Sequence, residues 1–117
     1  MREDPVARLR ALCLALPEAG EQETWGEPTF RVRDKIFAMP RSSDGRIALW
    51  CKAPPGEQAA LVSEDRQRYF VPPYVGHRGW VGVWLDGAVD WREVAELVDE
   101  SYRMTAPKRL VARLDGR

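Results

Sequence analysis

Between residues 21 and 52 the chain breaks into four short runs, 21–25, 29–33, 35–39 and 46–52, and this limits the possible folds more than any other feature. The runs are separated by Gly26-Glu27-Pro28, a tight turn near Asp34, and Ser42-Ser43-Asp44-Gly45. Short alternating segments divided by turn chemistry predict an antiparallel meander. In 29–33, Phe30 and Val32 alternate with Arg31 and Arg33; in 46–52, Ile47, Leu49 and Cys51 alternate with Arg46, Ala48, Trp50 and Lys52. Side chains change face at every strand residue. The apolar set of each run therefore packs under helices, and the other set forms an opposite face that is expected to be open, basic and to carry a tryptophan.

Helical patterns flank this block. Asp4 followed by Pro5 reads as an N-cap and first helical position, and Val6, Leu9, Cys13 and Leu16 recur at helical spacing until Pro17 and Gly20. Pro54-Pro55-Gly56-Glu57 opens a short helix to about Val62, a polar connector spans 63–68, and 69–71 is a brief strand. A clear strand follows over 79–85, with Val81, Val83 and Leu85 on one face and Trp80, Gly82 and Trp84 on the other. Asp90 with Glu93 resembles a capping box, and Trp91, Val94, Leu97, Val98 and Tyr102 supply a buried stripe. Thr105-Ala106-Pro107 restarts a last helix, with Leu110, Val111 and Leu114 apolar and Lys108, Arg109 and Arg113 exposed. Strands in a block with helices before and after predict an α+β two-layer sandwich, an antiparallel sheet with helices on one face. At 117 residues the chain is expected to form a single domain over 1–117.

A hydrophobic fraction of 44% with 31% charged residues fits a folded globular chain. No run is long and apolar enough to cross a bilayer, and the N-terminal residues lack the apolar stretch of a signal peptide, so a cytoplasmic protein with no membrane partner is expected. Cys13 and Cys51 sit in apolar patterns and read as free core thiols. Together with the lone His77 they fall short of the four ligands of a zinc site, so neither metal nor cofactor is expected. The formal net charge is zero, with 18 basic and 18 acidic residues. That balance hides segregation. Residues 31–52 carry Arg31, Arg33, Lys35, Arg41, Arg46 and Lys52 against Asp34 and Asp44, whereas 86–100 carries Asp86, Asp90, Glu93, Glu96, Asp99 and Glu100 against Arg92.

Trp25-Gly26-Glu27-Pro28 with Phe30, then Lys35-Ile36-Phe37-Ala38, Gly76-His77-Arg78-Gly79-Trp80, Asp90-Trp91 and Ser101-Tyr102-Arg103 follow one another in an order and spacing that resembles the MmcQ/YjbR family. The resemblance spans residues 5 to 110 or so. It implies a small bacterial protein of α-β(3)-α-β(2)-α order, similar in architecture to secretion chaperones and frataxin-like domains. The family is described as predicted DNA-binding, with no established catalytic residues to carry over. Two departures are the 41–44 loop, longer than the expected short turn, and the double proline at Pro54 and Pro55.

Two sets of residues are candidates for binding. The first is the basic strand face: Arg31, Arg33, Lys35, Arg46, Trp50 and Lys52, with Arg41 on a loop able to act as a wing. Guanidinium forks suit phosphate oxygens, and an open tryptophan stacks on an unpaired base. The competing structural reading has the arginines lying over the sheet and pairing with Glu21, Glu23 or Glu27. The second set is the loop Gly76, His77, Arg78, Gly79 and Trp80, where glycines bring backbone N–H groups to an anion. Its simpler reading is a tight approach into the strand at Trp80. His77 as a general base lacks a visible nucleophile, and Ser101 reads as part of a buried helix end, so the chain is expected not to be an enzyme. Trp50, Trp80 and Trp84 form either a second small core or an exposed patch. The leading expectation is DNA binding through the cationic face by a monomer or weak homodimer. The rival is a protein-interaction module resembling a secretion chaperone, and ligand binding at the 76–80 loop ranks third.

Overall fold

Three two-residue turns with positive φ at both positions set the sheet: Trp25-Gly26 (54° and 81°), Arg33-Asp34 (52° and 67°) and Asp44-Gly45 (52° and 76°). This conformation matches the twist of the flanking strands and joins them without further loop residues. In the computed structural model, which describes residues 4–116, the turns link β1 (Gly20–Thr24), β2 (Glu27–Val32), β3 (Lys35–Ser43) and β4 (Arg46–Cys51). Residues 1–3 and 117 of the single-domain expectation lie outside the described residues. The turns are tighter than turn composition alone predicts. Glu27 and Pro28 are strand residues, and so are Arg41, Ser42 and Ser43, so Arg41 belongs to a strand and not to a loop.

The helix α1 (Pro5–Leu14) precedes the meander, and the Asp4 carboxylate caps it by accepting from the Val6 N–H at 3.0 Å. After β4 come α2 (Glu57–Glu64), β5 (Tyr69–Phe70), a 3-10 turn (Gly76–Arg78), β6 (Val81–Trp84), α3 (Trp91–Thr105) and α4 (Lys108–Gly116). The six strands are antiparallel in the order β1-β2-β3-β4-β6-β5, so four strands, and not three, precede the middle helix. The Asp90 carboxylate caps α3 by accepting from the N–H groups of Arg92 and Glu93. Glu93 does not return the bond. Its carboxylate instead accepts from Arg68 at 2.7 Å and from the Tyr69 hydroxyl, tying α3 to the edge strand.

All four helices feed one core on one face of the sheet. Leu9 and Cys13 of α1, Val94, Leu97, Val98 and Tyr102 of α3 and Leu110 of α4 meet Phe30, Val32, Leu49, Val81 and Val83, with Leu61 and Val62 of α2 packed against them. Cys13 and Cys51 are separate thiols in this core. Burial pushes both thiol pKa values up, that of Cys51 to about 12. Because the thiolate is the reactive species, native protein is expected to react with an aromatic disulfide reagent only as it unfolds. Rapid labelling of either thiol in native buffer would contradict this packing.

The opposite face is not open. Met39, Ala48, Trp50 and Trp80 form a second core there, packed by Ile36, Phe70, Val75 and Trp84. Gly82 makes this possible, because its missing side chain leaves room for the Phe70 ring, which a Cβ at that position would strike. Phe70 in turn lies 4.5 Å from Trp84, centroid to centroid. Gly82→Ala is therefore expected to lower stability by about 1–3 kcal/mol through overpacking, read as a shifted denaturation midpoint, with Phe70→Leu in the same chain recovering part of the loss. A Gly82→Ala variant as stable as the parent would show that the ring does not occupy this space.

Candidate nucleic-acid interface

The first candidate set does not form one plate, because the backbone and the carboxylates divide it. Arg31 lies on the face away from the helices, opposite Ile36. Its guanidinium donates to the hydroxyls of Thr29 (3.1 Å) and Thr24 (3.0 Å), and the Asp34 carboxylate stands 3.8 Å away. Arg41 stacks over Trp50 at 5.0 Å, with its Nε 3.5 Å from Glu27. Arg46 lies 3.7 Å over Trp84 and donates through Nε and Nη2 to both oxygens of Asp86, each at 2.9 Å. That bidentate bond holds the Asp86 pKa below the usual carboxylate range. Trp50 is 8% exposed, so it serves the second core and offers no ring for stacking. The structural reading in which arginines pair with nearby acids thus holds for Glu27, whereas Glu21 pairs with Arg10 of α1 at 2.7 Å.

Arg33, Lys35 and Lys52 go elsewhere. The φ of +52° at Arg33 takes it out of the strand alternation, and its Nε lies 3.8 Å from Glu18, in the segment after α1. Glu18 also receives Arg109 at 3.5 Å and Arg113 at 3.7 Å from α4. One carboxylate is shared by three exposed arginines. Arg33 and Lys35 line a shallow groove with Thr105 and Pro107. Lys52 follows β4, where its N–H leaves the ladder to donate to the Ser101 hydroxyl at 2.9 Å. Burial lowers the Lys52 ammonium pKa most, and the cations Lys35 and Arg78 lower it further. Repulsion from both places the three charges together, and among the described residues none of the three has a carboxylate within ion-pair distance.

The 76–80 loop contributes Arg78 to this group, but its glycines have structural causes. Gly79 has φ +89°, and a Cβ on Gly76 would collide with the Val71 side chain. The N–H groups of Arg78 and Gly79 are spent inside the turn, on the carbonyls of Val75 and Gly76. The Gln58 amide donates to the carbonyls of Gly76 (2.8 Å) and Trp80 (2.6 Å), fastening the loop to α2. His77 is exposed and Trp80 is 6% exposed in the second core. Ser101 is occupied as well: its hydroxyl donates to the Phe37 carbonyl at 2.6 Å while accepting from Lys52.

Arg33, Lys35, Lys52, Arg78, Arg109 and Arg113 thus form two linked groups toward one end of the sheet: Arg33, Arg109 and Arg113 converge on Glu18, Lys35 lies near Lys52 and Arg78, and the groove lined by Arg33 and Lys35 joins them, with Asp34 directed at Arg31. Sequence reasoning identified four of the six as candidates but left Arg109 and Arg113 as solvated helix residues. Their i, i+4 spacing marks one helix face, yet nothing local shows that this face meets Glu18. No group of three or more His, Cys, Asp or Glu residues is placed to hold a metal ion among the described residues, and no helix there is long and apolar enough to cross a membrane.

Comparison with known proteins agrees with this architecture. The family model described as YjbR matches residues 14–104. The "Uncharacterized protein YjbR" of Escherichia coli (strain K12) is 28% identical over 100 residues, which cover 84% of this chain and 84% of that protein. Its counterpart in Escherichia coli O157:H7 matches to the same extent. The crystal structure of Deinococcus radiodurans protein DR2400, a DUF419 domain, has a TM-score of 0.75 at 24% identity, covering 88% of this chain and 81% of that one. This last likeness concerns the fold alone.

Proposed function

The chain belongs to the YjbR family, and from that premise we propose that it is a non-enzymatic DNA-binding protein that grips phosphates with the cationic end of its sheet and not with the broad sheet face. The observation that carries this reading is the sharing of Glu18 by Arg33, Arg109 and Arg113, together with Lys35, Lys52 and Arg78, which have no ion-pair partner among the described residues. Exposed ion pairs of this kind are worth at most about 1 kcal/mol, so Glu18 gives up its arginines to phosphate at little cost. Among the described residues the lysines and Arg78 have no carboxylate to surrender. Placing a polyanion there relieves the mutual repulsion at Lys52, whereas a neutral partner leaves it in place. Arg31 and Arg46 of the sheet face are poorer candidates, since the threonine hydrogen bonds of the first and the Trp84 stacking and bidentate Asp86 bond of the second would have to be dismantled.

Fluorescence anisotropy with labelled single- and double-stranded DNA across a salt series tests this reading. Binding is expected at about 50 mM salt and should weaken steeply by about 200 mM, because phosphate contacts release counterions. No binding of either strand form at the lower salt sinks the proposal.

A further inference from the structure

At the other end of β3 lies a cavity of about 400 Å³ that the phosphate-binding reading does not use. It opens between the β3–β4 hairpin and the segment after β5, and its walls are the rings of Trp50, Phe70, Tyr74 and Trp84. Arg41 and Ser43 stand at its edge. Its polar lining residues Arg41 and Ser43 lie six and eight residues along β3 from Lys35 of the cationic end, roughly 20–26 Å of strand.

Three features specify what would fit. The volume is that of a small-molecule site and not of a groove for a folded partner. The walls present aromatic rings, with Phe70 and Trp84 tilted by 31° at 4.5 Å, so a flat ring gains more from them than a branched chain does. Tyr74 is 83% exposed with φ +69°, a rare conformation for a bulky residue, so its ring stands at the mouth without belonging to either core. The charge is the third feature. Arg41 is the one ionic lining residue; its side chain is 29% exposed, makes no hydrogen bond among the described residues, and approaches Glu27 through Nε alone at 3.5 Å. Among the described residues its remaining guanidinium donors have no acceptor, and the exposed Ser43 hydroxyl makes no hydrogen bond either.

We propose that this cavity binds a planar aromatic acid, with the ring packed against Phe70 and Tyr74 beside Trp84, whose own ring already meets Phe70 and Arg46, and the carboxylate on the Arg41 guanidinium and the Ser43 hydroxyl. Glu27 keeps Nε of Arg41 and so holds the fork in place for the incoming anion. A neutral aromatic would fill the same space but leave those donors unserved as water is displaced. An aromatic amine would meet the guanidinium as a like charge.

The test uses 2-naphthoate, 2-naphthamide and 2-naphthylmethylamine as probes in amide-correlation NMR titrations of the full chain. Naphthoate is expected to bind at least tenfold more tightly than naphthamide, to move the indole N–H signals of Trp50 and Trp84, and to leave that of Trp25 in place. Arg41→Gln should erase the preference for the acid while sparing naphthamide affinity, and Tyr74→Ala should weaken both ligands by roughly two- to twelvefold. Tyr74 is packed in neither core, so its loss spares the fold. Equal affinity for acid and amide in the parent protein overturns the proposal, as do shifts confined to other regions. Naphthoate displacement by rising protein concentration, abolished by Trp25→Ala, would assign the cavity to the exposed Trp25 of a second copy and overturn it too.

Discussion

A Lys35→Glu, Arg78→Glu double variant is expected to bind DNA on the order of a hundredfold more weakly than the parent at about 50 mM salt, with a salt slope shallower by about two. Both residues are exposed, and neither has a carboxylate partner among the described residues, so reversing them breaks no native ion pair. Thermal denaturation should be close to that of the parent. Burying phosphate beside Lys52 depends on its two cationic neighbours remaining cationic. The matched control is Arg31→Gln with Arg46→Gln, where the guanidiniums are engaged by Asp34 and Asp86. That pair is expected to change affinity by no more than roughly threefold, since the lost surface pairs are individually weak. A reversed pattern, with the control variant impaired and the double reversal unaffected, would return phosphate binding to the sheet face and refute the end-on arrangement.

The division of the arginines between sheet face and sheet end shows what could be read from residue order. Helix starts were legible because capping is local: Asp4 and Asp90 reach N–H groups within three residues. The meander was legible because its turns carry Gly26, Asp34 and Gly45 at the required places. The alternation argument failed at Arg33, which reads as a strand residue but is the first position of the turn expected near Asp34, with a left-handed φ. It shifted again at Phe37, where the pairing of Phe30 with Ala38 and Arg31 with Ile36 leaves one extra residue in β3. Charge neutralisation was beyond reach for a different reason. Arg46 and Asp86 are 40 positions apart, Glu18 and Arg109 91, and only the packed fold brings such pairs together. The covering of the second face depends likewise on Val75, from the segment after β5, packing against the cluster that holds Trp50 and Trp80, an arrangement with no local signature.

Tyr102→Ala is expected to cost about 3–5 kcal/mol, the largest stability loss among the substitutions considered, whereas Tyr102→Phe should cost about 1 kcal/mol. The ring is fully buried and meets Phe37 edge-on at 5.4 Å and 88°, so truncation leaves a cavity between α3 and the bulged strand. Against a typical total of about 5–15 kcal/mol, such a loss removes a large share of the stability and should appear as a clearly lowered denaturation midpoint. The hydroxyl has a separate task. It donates to the Pro17 carbonyl at 2.7 Å and so anchors the segment bearing Glu18, the carboxylate on which Arg33, Arg109 and Arg113 converge. Burial raises the Tyr102 pKa, and Glu18 adds to that while Arg113 and Arg109 oppose it, which places the phenol beside the same charges. Tyr102→Phe should therefore keep the fold but loosen the Glu18 anchor, giving faster amide exchange around residues 17–19 and altered DNA affinity. Equal stability losses in the two variants would show that the ring is not the wedge between α3 and the sheet. An unchanged 17–19 segment in Tyr102→Phe would show that core packing, and not the hydroxyl, positions the cationic end.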